Sequence, residues 1–188
     1  MFRPCHFLLI NEYSFTKVLI IFYFYQTFYN IYEKKRKEKK TLERAEIDQI
    51  INKSDVCRIA FAKENIPYIV PVSFGYDGKS LYLHTALEGK KIDFIRSNNI
   101  VCFEFDTDVK TITHKTIGCK WSTTYRSVIG NGKIYEIKDE RKMINALNKI
   151  MQHYSGKEWE FTEKMLKNVR IWEIEIERIT GKKSNIED

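Results

Sequence analysis

The sequence predicts a mainly β domain of the α+β class, a small barrel of about six strands with helices set apart from it, and not a doubly wound α/β sheet. Three observations predict it. Short runs rich in Val, Ile, Phe and Tyr follow one another from residue 56, separated by turn residues. Apolar and charged residues alternate strictly from Trp172 to Glu177, as in a strand with one wet face. The helical patterns stand apart from these runs. A length of 188 residues fits one domain of ordinary size, or a smaller one with an appendage. With 43% hydrophobic residues and only 3 Pro and 8 Gly, a disordered or collagen-like chain is excluded.

The first forty residues form a separate hydrophobic and basic extension. Eleven of the 26 aromatic residues fall before position 33, and Glu33-Lys-Lys-Arg-Lys-Glu-Lys-Lys40 then marks a boundary. Residues 14–32 approach the length of a bilayer crossing, but Lys17, Gln26 and Asn30 interrupt them, and the unbroken apolar stretch is eight residues. No small-residue cleavage site marks a secretory signal. Two readings stay open. Either the segment inserts, and the basic run keeps the body in the cytoplasm, or it lies outside the natural protein, with translation starting near residue 33. Its Phe/Tyr/Ile/Asn/Lys bias is what AT-rich non-coding DNA yields when read as protein.

The domain proper is expected over 41–188. Thr41 is a candidate N-cap, with Glu43 in the first turn and Ala45, Ile47, Ile50 and Ile51 as an apolar stripe. Arg44, three residues after that cap, leaves the capping box incomplete. Val56–Ala62 and Tyr68–Phe74 read as strands, and Asp77-Gly78 is a hairpin turn leading to a third, Ser80–Thr85. Pro71 cannot donate to a ladder, which places its strand at an edge or a bulge. A short helix follows at about 88–97, then strands at Ile100–Phe105 and from Lys120 through Ile137, with Gly130-Asn-Gly132 as a bend. Helices at about 139–153 and 158–167 precede a closing strand, Val169–Arg178.

Charge and cysteine usage narrow the function classes. The net charge of +7 is concentrated in the first forty residues, which hold 8 Lys/Arg against 3 Asp/Glu; the rest of the chain carries 24 against 22. A near-neutral body argues against a nucleic-acid footprint, which draws most of its affinity from neutralised phosphates. Cys5, Cys57, Cys102 and Cys119 form no Cys-x-x-Cys, and His6, His84, His114 and His153 show no ligand spacing, so no metal site is expected. Cys57 and Cys102 read as free buried thiols, and a reducing, cytoplasmic compartment follows.

The chemistry concentrates in His84-Thr-Ala-Leu-Glu-Gly-Lys-Lys91. A strand ends at Thr85, Gly89 supplies flexibility, and Lys90 and Lys91 fall at the start of a helix. Their sign is wrong for that place, since a helix N-terminus prefers acidic residues. A bound phosphate would reconcile them with the free backbone N–H groups; the alternative is that both lysines are merely solvated. Neither a G-x-G-x-x-G nor a G-x-x-x-x-G-K-[ST] motif competes.

From about Asp55 to Lys183 the chain resembles the flavin-binding split barrels related to pyridoxamine 5′-phosphate oxidase, and within them the nitroimidazole-resistance branch. The resemblance runs through Val56-Cys-Arg-Ile-Ala-Phe, Val70-Pro-Val-Ser-Phe-Gly-Tyr, Leu81-Tyr-Leu-His-Thr-Ala-x-Glu-Gly-Lys-Lys, Tyr125-Arg-Ser-Val-Ile-Gly-x-Gly132 and Ile179-Thr-Gly-Lys-Lys183. It implies an FMN-binding split β-barrel that forms a homodimer, with one flavin mononucleotide at each of two interfacial sites. The phosphate would be held by Thr85, Lys90 and Lys91, the ring would run beside the backbone of Val70, Pro71, Val72 and Ser73, and His84 would flank it. Arg126 and Ser127 match an arginine and a polar residue near the cofactor. Trp172 and Lys182 keep the ten-residue spacing of a tryptophan and a basic residue in the oxidase, with Lys where the oxidase has Arg. Plainer roles remain open beside these: His84 as a satisfied strand-end histidine, Arg126 in a surface ion pair, Trp172 in the core.

The tail that grips pyridoxamine phosphate in the true oxidase is missing, so vitamin B6 oxidation is not expected. The resemblance instead implies an FMN-dependent oxidoreductase that passes electrons, with NAD(P)H as a donor, to a small acceptor such as a nitroaromatic, and His84 is the candidate catalytic residue. The alternatives are a non-catalytic flavin- or haem-binding protein on the same barrel, and a membrane-attached protein whose role depends on residues 1–40.

Overall fold

A computed structural model describes residues 42–184. The readings made for residues 1–40, for Thr41 as a cap, and for Cys5 and His6 lie outside the described residues. The first helix, α1 (Arg44–Lys53), starts from Glu43 as its N-cap. The capping box is formed after all, because shifting the start by two residues brings Glu46 into place, and its carboxylate accepts from the Glu43 N–H at 3.4 Å. Ile47, Ile50 and Ile51 are buried as the apolar spacing requires, while Ala45 is exposed.

Seven strands follow: β1 (Cys57–Lys63), β2 (Ile66–Val72), β3 (Gly75–Tyr76), β4 (Ser80–Thr85), β5 (Ile100–Ile112), β6 (Ser122–Ile137) and β7 (Arg170–Lys183). They make one antiparallel sheet in the order β2-β1-β5-β6-β7-β4-β3. This order corrects one expectation. The Asp77-Gly78 turn joins β4 to the two-residue β3, not to the strand carrying Pro71, which lies at the opposite edge of the sheet. Asp77 builds the turn by accepting from the N–H groups of Lys79 and Ser80 at 2.9 and 2.8 Å, and Gly78 takes the positive φ of 91°.

The sheet curls into a barrel for a simple geometric reason. Only Ser73 and Phe74 connect β2 to β3, so the two edge strands come within about 11 Å at that point. A flat seven-stranded sheet would hold its edges roughly 29 Å apart. Inside the curl, Ile59, Phe61, Phe74, Phe103, Phe105, Leu83 and Trp172 form the main core. A smaller cluster, Ala146, Leu147, Ile150, Leu166 and Ile171, seats α3 (Glu140–Ser155) and α4 (Glu163–Leu166) against β7. The remaining helix, α2 (Lys90–Ser97), buries Ile92, Phe94 and Ile95.

Other differences have local causes. Gly130-Asn-Gly132 is no bend but lies inside β6, where the pairing with β7 shifts register between Asn131 and Gly132. A Cβ on Gly132 would sit 2.1 Å from the Glu175 carbonyl oxygen, so glycine there serves close backbone approach. The helix expected at 158–167 contracts to four residues: Gly156, left-handed at φ 69°, ends α3, and Thr162 caps the short turn by accepting from the Met165 N–H at 3.4 Å. Strand β5 runs on past Phe105 to Ile112 by pairing with β6. Cys57 is buried, but Cys102 points to the outer face and is exposed, because it falls on the opposite parity from Val101 and Phe103. Among the described residues no helix is long and apolar enough to cross a membrane.

Candidate functional site

The site is built where β4 ends. Thr85 is buried at the last strand position, and its Oγ1 accepts from the Trp172 indole N–H at 2.9 Å and donates to the Ala86 carbonyl at 2.9 Å. Four loop residues, 86–89, then lead into α2, whose N-cap Gly89 has φ 132° and which has no side-chain cap. The Ile92 N–H is taken by the Gly89 carbonyl at 2.8 Å, but no side chain caps the turn, which leaves the N–H groups of Lys90 and Lys91 in the place where an anion is favoured. Lys90 and Lys91 occupy that turn, as the sequence indicated.

The two lysines are held differently. The Lys90 ammonium lies over the Tyr68 ring, 4.7 Å from its centroid, and 5.7 Å from that of Phe94. These aromatic faces keep the charge beside β2 without neutralising it. Lys91 is half-buried, and desolvation lowers its pKa. His84 is exposed as a residue, yet its pKa is also lowered, first by desolvation and then by the Lys91 charge beside it. Thus the start of α2 carries two lysines, one over the Tyr68 ring and the other, partly stripped of water, beside an imidazole held toward its neutral form.

Strand β2 reaches this region through Tyr68. Val70 and Val72 pack against the core, while Pro71 and Ser73 face outward. Pairing joins Val70 to Ile59, Pro71 to Arg58 and Val72 to Cys57, and among the described residues no strand pairs with the far edge of β2. Pro71 therefore sits on an edge strand, as its missing N–H required.

The other candidates lie elsewhere in the chain. Ser127 is the register partner of Lys182, and Arg126 that of Lys183. The Arg126 Nε is 3.6 Å from the Asp108 carboxylate, and its side chain lines a cavity of about 470 Å³ with Lys110 and Lys183. Ten residues of β7 separate Trp172 from Lys182, or roughly 33 Å along an extended strand. Contacts thus join Thr85 to Trp172, His84 to Lys91, and Lys90 to Tyr68 of β2, while Arg126, Ser127 and Lys182 lie together further along β6 and β7. Trp172 is only 3% exposed, a member of the core that reaches the first group through Thr85. Sequence reasoning missed Tyr68 and Arg170. Tyr68 opens a strand already identified, but nothing in the sequence says that a lysine lies over it. Arg170 stands two residues before Trp172 on β7, and its Nε donates to the Leu87 carbonyl at 2.7 Å. Among the described residues no group of His, Cys, Asp or Glu could hold a metal ion.

The family described as pyridoxamine 5′-phosphate oxidase matches residues 43–183, the whole barrel and the site. The chain belongs to this pyridoxamine 5′-phosphate oxidase family. A crystal structure of a Bacteroides thetaiotaomicron protein named for 5-nitroimidazole antibiotic resistance is similar at 32% identity, with a TM-score of 0.68, covering 77% of this chain and 87% of that one. The FAD- and haem-binding protein of Mycobacterium smegmatis shares the fold, with a TM-score of 0.69 at 17% identity over 80% of this chain and 76% of its own. An uncharacterized protein of Rhizobium meliloti is 34% identical over 59 residues, a match that covers 31% of this chain and 38% of that protein. The split β-barrel of the family is thus the fold of this chain.

Proposed function

We propose that this member of the family is a homodimeric, FMN-dependent oxidoreductase that passes electrons from a nicotinamide donor to a small electrophile such as a nitroaromatic. The observation that carries the reading is the start of α2, without a side-chain cap and carrying Lys90 and the half-buried Lys91, an arrangement that favours a dianion. A phosphate there would be bound by the two ammonium groups and the N–H groups of Lys90 and Lys91. Thr85 has its proton committed to Ala86, so its part is to fix the strand end. Flavin, when bound, supplies the redox chemistry. The chain's own residues would bind and orient it, with the β2 wall from Val70 to Ser73 beside the ring and the lysines stabilising nearby negative charge. His84, held toward its neutral form, is a proton acceptor within the same group.

Two features support the second copy. The Arg126, Ser127 and Lys182 group lies too far along the strands to join the α2 group of its own chain, so a partner would have to bring it. The outer sheet face also carries an apolar hollow of about 590 Å³, lined by Ala60, Ala62, Pro67, Ile100, Cys102 and Ile129 among others. Ile100 and Ile129 are 56% and 52% exposed, apolar surface of the kind that an equivalent chain covers.

The absorption spectrum of the purified full chain tests the reading. Flavin bands that bleach on adding reduced nicotinamide, with FMN released on denaturation, are expected. A Soret band, or FAD in the extract, would contradict it. Lys90→Glu combined with Lys91→Glu is expected to give folded, colourless protein; full flavin content in that variant would place the anion elsewhere.

A further inference from the structure

The loop between β4 and α2 is tied down at two carbonyls. Thr85 Oγ1 holds that of Ala86, and Arg170 Nε holds that of Leu87 at 2.7 Å. Both ties run back to β7, since Trp172 fixes Thr85 and Arg170 is itself the register partner of Thr85. Arg170 is braced in turn: its NH1 donates to the Glu136 carboxylate at 2.5 Å, and both side chains are only about a quarter exposed, at 25% and 26%. A guanidinium gripping a backbone carbonyl on one side and a carboxylate on the other is held in orientation as well as in place.

The consequence follows from peptide geometry. The described peptide bonds are trans, so the carbonyl and the following N–H of each peptide point in opposite directions. Turning the Ala86 and Leu87 carbonyls onto Thr85 and Arg170 turns the N–H groups of Leu87 and Glu88 away from those partners. Neither N–H donates to a protein acceptor among the described hydrogen bonds of this loop, and both precede the first turn of α2, which no side chain caps. We infer that Arg170, braced by Glu136, is a positioning residue for phosphate recognition: it sets the backbone of 86–89 so that the loop N–H groups add to the Lys90 and Lys91 anion site. This inference rests on the proposed phosphate site and adds a residue that does not itself touch the ligand.

The test compares FMN with riboflavin, which has the same ring system and lacks the phosphate. Dissociation constants of both are measured by flavin fluorescence quenching on the apoprotein of the full chain, for the wild type, Arg170→Gln, Arg170→Lys and Glu136→Gln. Arg170→Gln is expected to weaken FMN roughly ten- to a hundredfold, the range for a lost charge-assisted hydrogen bond, while riboflavin stays within about twofold. Glu136→Gln should shift FMN in the same direction by less, and Arg170→Lys should restore part of the loss. Equal weakening of both ligands would make Arg170 a general scaffold residue and overturn the inference, as would FMN affinity unchanged in a folded variant. If Arg170→Gln does not fold by circular dichroism, the FMN-to-riboflavin ratio of Glu136→Gln decides in the same way. A wild type that binds the two ligands equally would instead overturn the phosphate site, and the inference with it.

Discussion

At Lys91, burial and the proposed phosphate site meet in one side chain. Desolvation favours its neutral form, so its proton leaves below the ordinary lysine value of 10.5. A bound dianion stabilises the charged form, so binding and protonation are linked and FMN affinity should fall as pH rises through the lowered pKa. Riboflavin affinity should not follow. In Lys91→Arg the guanidinium stays charged throughout, and the alkaline fall in FMN affinity is expected to disappear; a titration in which it persists would assign it to another group. Gly132 makes the complementary point about the backbone. The position needs a residue without a Cβ, because 2.1 Å from the Glu175 carbonyl oxygen is far inside contact distance. Gly132→Ala should cost about 2 kcal/mol or more in urea unfolding, at the upper side of the usual overpacking range. A loss below about 0.5 kcal/mol would mean that β6 and β7 separate there without difficulty.

Among the elements, those whose pattern depends on nearest neighbours along the chain were readable in advance. The alternation from Trp172 places β7, Pro71 marks an edge strand, Asp77-Gly78 makes a turn, and the wrongly signed lysines mark the start of α2. What the pattern could not supply is pairing. The turn gives a hairpin, but nothing local says that its first strand is two residues long or that the chain crosses at Ser73 and Phe74 to the other edge of the sheet. Glycine in Gly130-Asn-Gly132 signals a special backbone, and whether that means a bend or a close approach depends on β7, forty residues further on. The site divides in the same way. Lys90 and Lys91 are adjacent in sequence and adjacent in space, whereas Tyr68 and Arg170 reach the same region only through tertiary contacts. Helix α1 is secured by a contact of that second kind. The Arg44 guanidinium donates to the Tyr76 hydroxyl at 2.6 Å, and that hydroxyl donates to Asp48 at 2.6 Å. Tyr76→Phe should therefore lower the unfolding free energy by about 1 kcal/mol, measured by denaturant titration, and leave flavin content unchanged.

For the whole molecule, the question is what covers the outer face of the barrel. Inward positions of β1 and β5 carry Ile59, Phe61, Phe103 and Phe105, as a packed interior requires, but outward positions carry Ala60, Ala62, Ile100 and Cys102 where a solvated sheet would be polar. Arg58, bonded to Glu104 at 3.2 Å and to Asp106, borders this surface with charge. An apolar centre with a charged border is how an interface is arranged. Ile129→Glu is expected to give a monomer in sedimentation velocity and, because each flavin site would draw on both chains, a colourless one. A dimeric, fully yellow variant would move the interface elsewhere. The exposed thiol of Cys102 lies in that same hollow, whereas Cys119 is exposed in the β5–β6 connection and Cys57 is enclosed by the core. If two copies meet at this hollow as proposed, the molecule carries its own chemical clock for subunit exchange: under mild alkylation followed by peptide mapping, Cys119 would tick at the rate of open solvent, Cys57 would stay silent, and Cys102 would run fast or slow according to how long the two halves spend apart.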